Sequence, residues 1–374
     1  MRASWGPSGA YVVDGQTGAR LFAWNGGTAR VLASNTKLFT TGAALARKGP
    51  NATIATRALI GGAMNAMGTV DGDLYLKGGG DPAFGSSAYV RHAYGTGSGA
   101  TIESLAKRLY AGGLRLIRGS VVGDESLFDS RRGIPATGYA ASGQVEGPLS
   151  GLVYNHGLMA SGYFQTNPPG YAAARMTDAL RAAGVTVKKS ATTGRAPGGA
   201  IELARVESLK MSKLAQLTDT PSDNFFAEEL AKGLGGGTTA GGASAVVRFA
   251  RSRGARVRLA DGSGLSHSNR ASPQDVVRYL IKERSQPESK ALYGALAIAG
   301  VNGTLASRMG SGPAHKHCRA KTGTLNGVSA LSGYCSSRGG HTIVFSILMN
   351  GVSSNSRAHS LQDRMAQAIA GYSG

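Results

Sequence analysis

The hydrophobic and polar positions near the N terminus predict a hairpin followed by a helix. In residues 9–24, the apolar-rich segments GAYVV and RLFAW flank the polar turn DGQTG, which is typical of a β-hairpin. Residues 33–37 precede the segment LFTTGAALAR, whose apolar spacing predicts an amphipathic helix that ends at Gly49-Pro50. The chain therefore begins with a pair of strands and one helix.

The middle of the chain alternates short strand and helix patterns. The stretch 130–148 is rich in loop-forming residues, and the segment 194–199, which contains Gly and Pro, is typical of a domain boundary. The strand patterns lie at 53–60, 73–77, 119–123 and 185–189, and the helix patterns lie at 102–111 and 171–183.

The last part of the chain returns to long regular patterns. After residue 208 the pattern is helical, with the loop TDTPSDN between two helices. Two strand runs, at 328–335 and 341–350, then precede a helix at about 356–370. Strands at both ends of the chain, with helices between them, predict an α+β domain whose sheet joins the terminal strands, interrupted by an inserted domain at about 57–202.

Length and composition are those of a folded protein with more than one domain. At about 150 residues per domain, 374 residues suffice for two to three. The 57 glycines follow no Gly-X-Y period, and 41% hydrophobic against 17% charged residues excludes a disordered chain. The sequence contains no long apolar run that would span a membrane, and the N-terminal MRASWGPSGAYVVDG contains no apolar signal core. Either the protein stays inside the cell or its export signal is absent from this sequence.

The chain is strongly basic, since 41 Lys and Arg residues against 21 Asp and Glu give a formal net charge of +20. Such a charge is typical of nucleic-acid-binding proteins, but here the basic residues are scattered and aromatic residues are only 6%. No zinc-finger spacing, basic zipper or aromatic RNP-like strand accompanies them. The composition favours a soluble, basic surface, and attraction to an acidic polymer such as a cell wall stays open.

The first candidate site is a serine and a lysine three residues apart, Ser34 and Lys37, at the start of the N-terminal helix. This spacing places the hydroxyl and the amine on one face of a helix. A serine becomes a nucleophile when a neighbouring base takes its proton, and a lysine whose pKa is lowered by burial and nearby charge can be that base. The alternative interpretation is a serine that only caps the helix.

The second candidate site is Ser222-Asp223-Asn224, in a polar loop directly before a helix. Its alternative interpretation is an ordinary turn and helix cap, because Ser, Asp and Asn all favour such positions. Taken alone, this motif indicates no particular chemistry.

The third candidate site is Lys321-Thr322-Gly323-Thr324, inside a run that predicts an edge strand and a hairpin. Gly323 has no side chain, so a substrate backbone can lie close to the strand there. Lys321 and the threonine hydroxyls can hold a carboxylate, and the N–H of Thr324 can complete an oxyanion hole with that of Ser34. The alternative interpretation is a surface strand with an ordinary turn.

The three motifs, S-x-x-K, S-D-N and K-T-G, occur together and in this order in serine β-lactamases and penicillin-binding proteins, which the chain resembles. The long separation of the first two motifs is similar to the class C low-molecular-mass penicillin-binding proteins, the D-alanyl-D-alanine carboxypeptidase/endopeptidase family of peptidoglycan enzymes. Further matching segments extend over nearly the whole chain: GDLYLKGGGDPAF at 72–84, VVGDESLFDS at 121–130, GPLSGLVYNHG at 147–157, DGSGLSHSNRASP at 261–273 and AKTGTLNGVSALSGY at 320–334.

The resemblance implies a fold and a domain organisation. It implies a penicillin-binding transpeptidase-like domain, with an antiparallel sheet flanked by helices, formed by residues 1–56 and 203–374. Residues 57–202 would form the inserted domain, with a reduced third subdomain near 125–160. Where the family commonly has Arg after DGSGLS, this chain has His267, which leaves the substrate contacts there open.

The resemblance also implies the roles of the motif residues. Ser34 would be the acylated nucleophile, Lys37 the general base and Ser222 the proton relay to the leaving amine, while Asn224 would bind the substrate amide. Asp124, in the inserted domain, would meet a substrate ammonium, unless it is a surface carboxylate in a turn. The residues that would anchor the terminal carboxylate and the substrate backbone are Lys321, Thr322, Gly323 and Thr324.

The two cysteines, Cys318 and Cys335, lie symmetrically about Asn326-Gly327. Asn-Gly is the strongest two-residue hairpin signal and predicts a type I′ turn with positive φ at both positions. In that register the cysteines lie directly opposite each other, which predicts a cross-strand disulfide in an oxidising compartment. Two buried, unpaired thiols are the alternative.

We therefore expect a penicillin-sensitive serine peptidase that acts on peptidoglycan stem peptides ending in D-Ala-D-Ala as a carboxypeptidase, and an additional endopeptidase activity stays open. It would need no metal or cofactor, be acylated by β-lactams and act outside the cytoplasm, with neither a nucleic-acid partner nor a transmembrane segment. The four adjacent residues from His315 to Cys318 cannot close a metal site alone, because neighbours on a strand alternate faces. The alternatives are a β-lactamase or esterase on the same scaffold, and a non-catalytic wall- or nucleic-acid-binding protein.

Overall fold

The computed structural model describes residues 7–95 and 99–374, and backbone contacts divide the chain into two units. Unit 1 comprises the residues up to Pro50 together with Met211–Ala227 and Thr239–Gly374. Unit 2 comprises Asn51–Lys210 and Glu228–Thr238. Within the described ranges, no helix combines the length and the apolar character that crossing a bilayer requires.

The strands are β1 (Gly9–Asp14), β2 (Arg20–Trp24), β3 (Arg30–Val31), β4 (Ala55–Ile60), β5 (Thr69–Val70), β6 (Leu74–Lys77), β7 (Leu116–Ile117), β8 (Val121–Asp124), β9 (Thr186–Val187), β10 (Thr192–Thr193), β11 (Ile201–Glu207), β12 (Val257–Arg258), β13 (Arg270–Ala271), β14 (Ala297–Ile298), β15 (Cys318–Leu325), β16 (Val328–Ser336) and β17 (Thr342–Asn350). The helices are α1 (Thr36–Lys48), α2 (Ser87–Tyr94), α3 (Ile102–Ala111), α4 (Pro168–Ala182), α5 (Met211–Asp219), α6 (Asn224–Leu234), α7 (Thr239–Ser252), α8 (Pro273–Glu283), α9 (Ser289–Ala295) and α10 (Asn355–Ala370).

A six-stranded antiparallel sheet is the centre of unit 1, in the order β14-β15-β16-β17-β1-β2. Strand β1 pairs with β17, so the two ends of the chain meet in one sheet, as the sequence predicts. Successive side chains of a strand point to opposite faces. Phe345 and Ile347 of β17 pack in the cluster that includes α10, and Tyr334 of β16 donates a hydrogen bond to the backbone of α8. Helices cover both faces, which confirms the predicted α+β fold.

Helix α1 is a core helix of unit 1, because every residue from Thr36 to Leu45 is buried. Its polar side chains are satisfied inside the protein, and the hydroxyl of Thr40 donates to the carbonyl of Gly262 at 2.7 Å. Tyr279 of α8 packs against Phe39, with ring centroids 4.5 Å apart, and its hydroxyl donates to Leu38 O. This packing fixes the start of α1 relative to the sheet.

Unit 2 is built on a five-stranded mixed sheet in the order β10-β8-β6-β4-β11. Its apolar core lies between this sheet and the helices α3 and α4, which supply Leu105, Leu109 and Met176. A small parallel sheet, β5-β7-β9, completes it. The strand predicted at 185–189 is only the two residues of β9.

Strand β11 explains where the structure departs from the predicted division of the chain. It pairs antiparallel with β4 over Ile201–Glu207, a pairing that the sequence patterns do not indicate. The segment 194–199, predicted as a boundary, therefore lies inside unit 2. The chain divides after Pro50 and after Lys210, whereas the sequence-based division falls after residues 56 and 202.

The segment 125–160 also belongs to unit 2. It contains short 3₁₀ turns at Pro135–Thr137 and Asn155–Gly157, and all of its residues are described without a longer helix or strand. The segment is held by charged side chains of unit 2, since Arg132 pairs with Glu125 and Lys232 of α6 pairs with Asp129. The reduced third subdomain stays a prediction.

Candidate active site

Ser34 lies in a short 3₁₀ turn, Ala33–Asn35, that leads directly into α1. Ala33 has a left-handed backbone with a φ of 46°, which is costly for a residue with a side chain. The loop at Gly264 packs against this turn so closely that a Cβ on Gly264, whose φ is +97°, would lie 2.0 Å from Ala33 O. The turn is thus held in an uncommon conformation next to a second loop, a combination that clusters at functional sites.

Lys37 is fully buried, and the hydrogen-bond partners of its Nζ include three oxygens. These are Ser34 Oγ at 3.1 Å, Asn224 Oδ1 at 2.6 Å and the backbone O of Ser263 at 2.8 Å. Two of these partners can only accept hydrogen bonds, whereas the serine hydroxyl can also donate. The amine is therefore oriented by two fixed acceptors, with its third direction aimed at Ser34.

The second motif reaches this cluster through Asn224, the first residue of α6. Asp223 caps the helix, because its Oδ1 accepts the N–H of Phe226 at 2.8 Å. Ser222 has a left-handed backbone with a φ of 72° and stands two residues before Asn224. The turn and cap are present, as the alternative interpretation expects, and the same turn brings Asn224 to Lys37.

The third motif lies on β15, where Lys321 is fully buried, Thr322 is 8% exposed and Thr324 is exposed. Strand β14 pairs only with Arg319 and Ala320, so the outer edge of β15 beyond Ala320 carries no strand within the described part of the chain. This open edge agrees with the predicted edge strand. It leaves backbone groups of the motif available to an extended ligand.

Gly323 joins the third motif to the first. A Cβ on this residue would lie 3.0 Å from Ser34 N, 3.0 Å from Leu32 O and 3.1 Å from the Cβ of Ala33. Asn35 also holds the strand, since its Nδ2 donates to the backbone O of Lys321 at 3.0 Å. Close packing of β15 on the Ser34 turn therefore leaves little space for a side chain at this position.

Burial dominates the electrostatics of the site. Burial and the charge of Lys37 lower the pKa of Lys321 to about 7, while Asp219 opposes that shift. Burial raises the pKa of Asp219 to about 7, against the charges of Lys321 and Lys37, and burial also raises the pKa of Asp261. Three carboxyl and amine groups of unit 1 thus titrate outside their usual ranges, which is typical of functional sites.

A loop that the motifs alone do not identify completes the environment of Lys37. Asp261 is fully buried, and its carboxylate accepts the N–H groups of Gly264 at 2.8 Å and Ser266 at 2.7 Å, and Asn269 Nδ2 at 2.6 Å. These bonds fold residues 261–269 so that the carbonyl of Ser263 meets Lys37. Asp and Asn spaced within a Gly- and Ser-rich segment are the signal that predicts such a self-bonded loop.

Asp219, the last residue of α5, is a further site residue that sequence reasoning missed. Its side chain is fully buried, and Oδ2 lies 2.7 Å from the hydroxyl of Thr41 on α1. His267, which occupies the position where Arg is common in the family, is exposed on the loop 261–269.

The hairpin of β15 and β16 contains a disulfide between Cys318 and Cys335, with Cα atoms 4.0 Å apart. The two residues are direct partners in the register that the sequence predicts. The prediction of a type I′ turn is wrong, however. That turn needs positive φ at both central residues, and only Gly327 has it, with a φ of 69°, whereas Asn326 does not. A two-residue connection preserves the register whatever its turn type.

We predict that the protein, unfolded without reductant, exposes no free thiol, because its two cysteines are bonded to each other. Reduction should release two thiols and lower the free energy of unfolding by about 3 kcal/mol, as expected for a loop of this length. Thiol titration in denaturant measures both states. Two thiols without reductant would contradict the bond.

Asp124, for which a contact with a substrate ammonium is predicted, is held by hydrogen bonds within its own unit. Asp124 ends β8 in unit 2 and is fully buried. Its Oδ1 accepts the N–H of Ser126 at 2.8 Å, and its Oδ2 accepts the N–H of Ala196 at 2.9 Å. These bonds support a structural role, which sequence position alone does not show, and the substrate contact of Asp124 stays a prediction.

We expect Asp124→Ala to destabilise the protein by about 1–3 kcal/mol, since it removes a buried carboxylate and leaves the N–H groups of Ser126 and Ala196 without this acceptor. Asp178→Ala is the matched control, because Asp178 is 55% exposed and pairs with Arg175 one turn away on the same helix. Denaturant titration followed by circular dichroism compares the two variants. Equal midpoints for both would contradict the structural role.

Comparison with known proteins shows which family this chain belongs to. A model of the D-Ala-D-Ala carboxypeptidase 3 (S13) family matches residues 4–159 and 143–372. The chain belongs to this family. It is 30% identical to a D-alanyl-D-alanine carboxypeptidase of Actinomadura sp. (strain R39), over 98% of this chain and 82% of the relative.

A second relative agrees with this family membership, and a solved structure shows the same fold. Carboxypeptidase DacB of Mycolicibacterium smegmatis is 29% identical, over 91% of this chain and 75% of the relative. Among solved structures, penicillin-binding protein 4 (dacB) of Haemophilus influenzae has the same fold, with a TM-score of 0.80, 21% identity and coverage of 98% and 96% of the two chains.

Proposed function

We propose that this protein is a serine-type D-alanyl-D-alanine carboxypeptidase that acts on peptidoglycan stem peptides through an acyl-enzyme on Ser34. The observation that carries the proposal is the geometry of Lys37, whose Nζ lies 3.1 Å from Ser34 Oγ while Asn224 and Ser263 hold it from two other sides. Membership of the S13 family supplies the substrate class.

Acylation begins with transfer of the Ser34 proton to Lys37. An uncharged amine has two hydrogens and one lone pair, and the two acceptor-only partners take the hydrogens. The lone pair then faces the hydroxyl of Ser34, which donates its proton as Oγ attacks the carbonyl carbon of the penultimate D-Ala. The backbone N–H groups of Ser34 and Thr324 stabilise the oxyanion.

The second step expels the terminal D-Ala. The proton held by Lys37 passes through the hydroxyl of Ser222 to the leaving amine as the C–N bond breaks, which leaves an ester on Ser34. Water then attacks this ester, which releases the shortened peptide and returns the proton to Ser34. In this scheme Asn224 holds the substrate amide.

Recognition of the C-terminal carboxylate falls to the third motif. Lys321 supplies positive charge when protonated, and the hydroxyls of Thr322 and Thr324 supply hydrogen bonds. Thr322 Oγ1 is held by Thr304 Oγ1 at 2.7 Å, which fixes its direction. The open edge of β15 aligns the substrate backbone beside Gly323.

The proposal extends to the domain roles and the place of action. Unit 1 contains all three motifs and is the catalytic domain, and unit 2 includes the inserted segment. Because peptidoglycan lies outside the cytoplasmic membrane, the protein works outside the cytoplasm. β-Lactams, which mimic the D-Ala-D-Ala end of the stem peptide, would acylate the same serine.

Labelling with a fluorescent penicillin tests the proposal. The wild type should be labelled and should release D-Ala from a peptide ending in D-Ala-D-Ala, whereas Ser34→Ala should do neither. Ser360→Ala, which changes an exposed serine on α10, is the matched control and should behave like the wild type. Labelling of Ser34→Ala would overturn the assignment, and labelling without release of D-Ala would favour an endopeptidase or esterase.

We predict a long-lived penicilloyl-enzyme. In class A β-lactamases a glutamate after the second motif activates the deacylating water, and this chain has no glutamate between Glu229 and Glu283. Benzylpenicillin should therefore give a burst of about one β-lactam hydrolysed per protein, with the adduct on Ser34 found by mass spectrometry. Rapid multiple turnover would instead identify a β-lactamase.

A further inference from the structure

Thr304 lies outside the three motifs, yet its side chain contacts the third one. It belongs to a short 3₁₀ turn, Gly303–Leu305, that follows β14 in the chain. Its hydroxyl oxygen lies 2.7 Å from Oγ1 of Thr322, the threonine proposed to bind the substrate carboxylate. Among the described residues, the Thr304 hydroxyl has no other hydrogen-bond partner. Its hydrogen is therefore available to Thr322.

Packing fixes the position of this turn relative to β15. Leu305 is fully buried, in the same apolar cluster as Ala320 of β15. The N–H of Gly300 donates to the backbone O of Leu305 at 3.0 Å, which closes the loop that leads into the turn. The Thr304 hydroxyl is thus attached to an ordered segment before any ligand binds, and binding does not have to pay for ordering it.

A second contact fixes the backbone of Thr304 itself. Its N–H donates to the backbone O of Thr220 at 3.1 Å. The preceding residue comes so close that a Cβ on Gly303, whose φ is +55°, would lie 2.2 Å from the same oxygen. Thr220 is held in turn, because its hydroxyl donates to the backbone O of Ala295 at 2.7 Å. The main chain that carries the Thr304 hydroxyl therefore has a fixed place beside Thr322.

The hydrogens of the two hydroxyls decide which one must donate. Each threonine hydroxyl has one hydrogen, whereas an ionised carboxylate can only accept. If Thr322 donated to Thr304, it would present lone pairs to an approaching carboxylate, and the two would repel each other. If Thr304 donates instead, the hydrogen of Thr322 is free for the carboxylate. Only the second arrangement is compatible with the proposed role of Thr322.

We propose that Thr304 is a positioning residue whose hydroxyl donates to Thr322 and so directs the Thr322 hydrogen at the C-terminal carboxylate of the substrate. The inference rests on the proposed function, in which Thr322 binds that carboxylate. Thr304 acts through Thr322 and does not touch the substrate. A hydroxyl that accepts one hydrogen bond is also a better donor in the next, because successive bonds polarise one another.

The variant Thr304→Val tests the inference, because valine keeps the branched shape of threonine and removes only the hydroxyl. The backbone N–H that donates to Thr220 is retained. KM for a peptide ending in D-Ala-D-Ala should rise about two- to tenfold, the effect of one hydrogen bond between uncharged groups. The contact is the same in the ground state and the transition state, so kcat should change little. KM for a thioester without a terminal carboxylate should stay unchanged.

Rescue by serine separates the hydroxyl from the packing of the side chain. Thr304→Ser restores the hydroxyl without the methyl group, so KM for the peptide should return close to that of the wild type. Thr28→Val, at an exposed threonine of unit 1, is the matched control and should leave KM unchanged. If serine failed to restore a KM that valine had raised, the side chain would act by packing and the inference would be overturned.

A double-mutant cycle determines whether Thr304 acts through Thr322. Thr322→Val alone should raise KM for the peptide by at least as much as Thr304→Val does. In the Thr322→Val background, Thr304→Val should have no further effect, because the group that it positions is gone. A further increase of about two- to tenfold would show that Thr304 binds the carboxylate directly, and it would overturn the inference.

The measurements also separate the inference from the proposed function. An unchanged KM in folded Thr304→Val, or an equal loss on the peptide and the thioester, overturns the inference alone. A wild type that is not labelled by penicillin and does not release D-Ala refutes the proposed function instead. If Thr304→Val does not fold, as judged by circular dichroism, Thr304→Ala replaces it in every comparison, because it removes the same hydroxyl with a smaller side chain.

Discussion

Replacement of Lys37 by methionine should abolish acylation of Ser34 while leaving the protein folded. The variant keeps the length of the side chain but removes the amine that lies 3.1 Å from Ser34 Oγ. Loss of a positioned general base costs about 10²–10⁴ in rate. Stopped-flow measurement of acylation by a chromogenic β-lactam gives this rate directly.

Stability must be measured on the same variant, because Lys37 also has structural contacts. Lys37→Met leaves Asn224 Oδ1 and Ser263 O without this donor, which should lower the free energy of unfolding by about 1–3 kcal/mol. Lys282→Met, at an exposed position of α8, should change neither quantity by a comparable amount. Undiminished acylation by a folded Lys37→Met protein would refute the base assignment.

Replacement of Gly323 by valine should reduce acylation by about 10²-fold, the cost of displacing reacting groups by about 1 Å. Its Cβ would lie 3.0 Å from Ser34 N, the backbone group that is proposed to stabilise the oxyanion. The two methyl groups that valine adds beyond this Cβ increase the crowding, so we expect strand β15 and the Ser34 turn to separate. The acylation rate of Gly323→Val, measured as for Lys37→Met, reports this separation.

Two comparisons make the Gly323 experiment specific. Gly323→Ala should have a smaller effect, because its contacts need to give by only a few tenths of an ångström. Gly294→Ala, in α9, places its Cβ in open space and should leave acylation unchanged. If Gly323→Val acylated as fast as Gly294→Ala, close packing of β15 on the Ser34 turn would not be needed for the reaction.

Local sequence patterns were sufficient where one segment determines its own structure. The helix after Lys37 and the strands β16 and β17 lie close to their predicted positions. The register that places Cys318 opposite Cys335 follows from a two-residue connection, although the predicted turn type was wrong. In each case the determining residues are neighbours along the chain.

Local sequence patterns did not predict interactions between distant segments of the chain. Strand β11 has only one buried residue, Val206, so its pairing with β4 leaves little periodic signal in the sequence. Asp124 lies in a segment that resembles the family, yet its carboxylate binds the backbone N–H of Ala196, far away in the sequence. The resemblance predicted a substrate contact for Asp124, but the sequence did not indicate this backbone partner.

The candidate site likewise has features that local sequence predicts and features that only contacts between distant segments create. The sequence by itself determined the three motifs, because their chemistry depends on residue type, order and local spacing, and it thereby determined Ser34, Lys37 and the family. Only the tertiary structure decided that Ser263 presents a carbonyl to Lys37 and that the buried Asp219 meets Thr41 of α1. A backbone carbonyl has no residue-specific signature, and the effect of a buried charge depends on distances that folding alone sets.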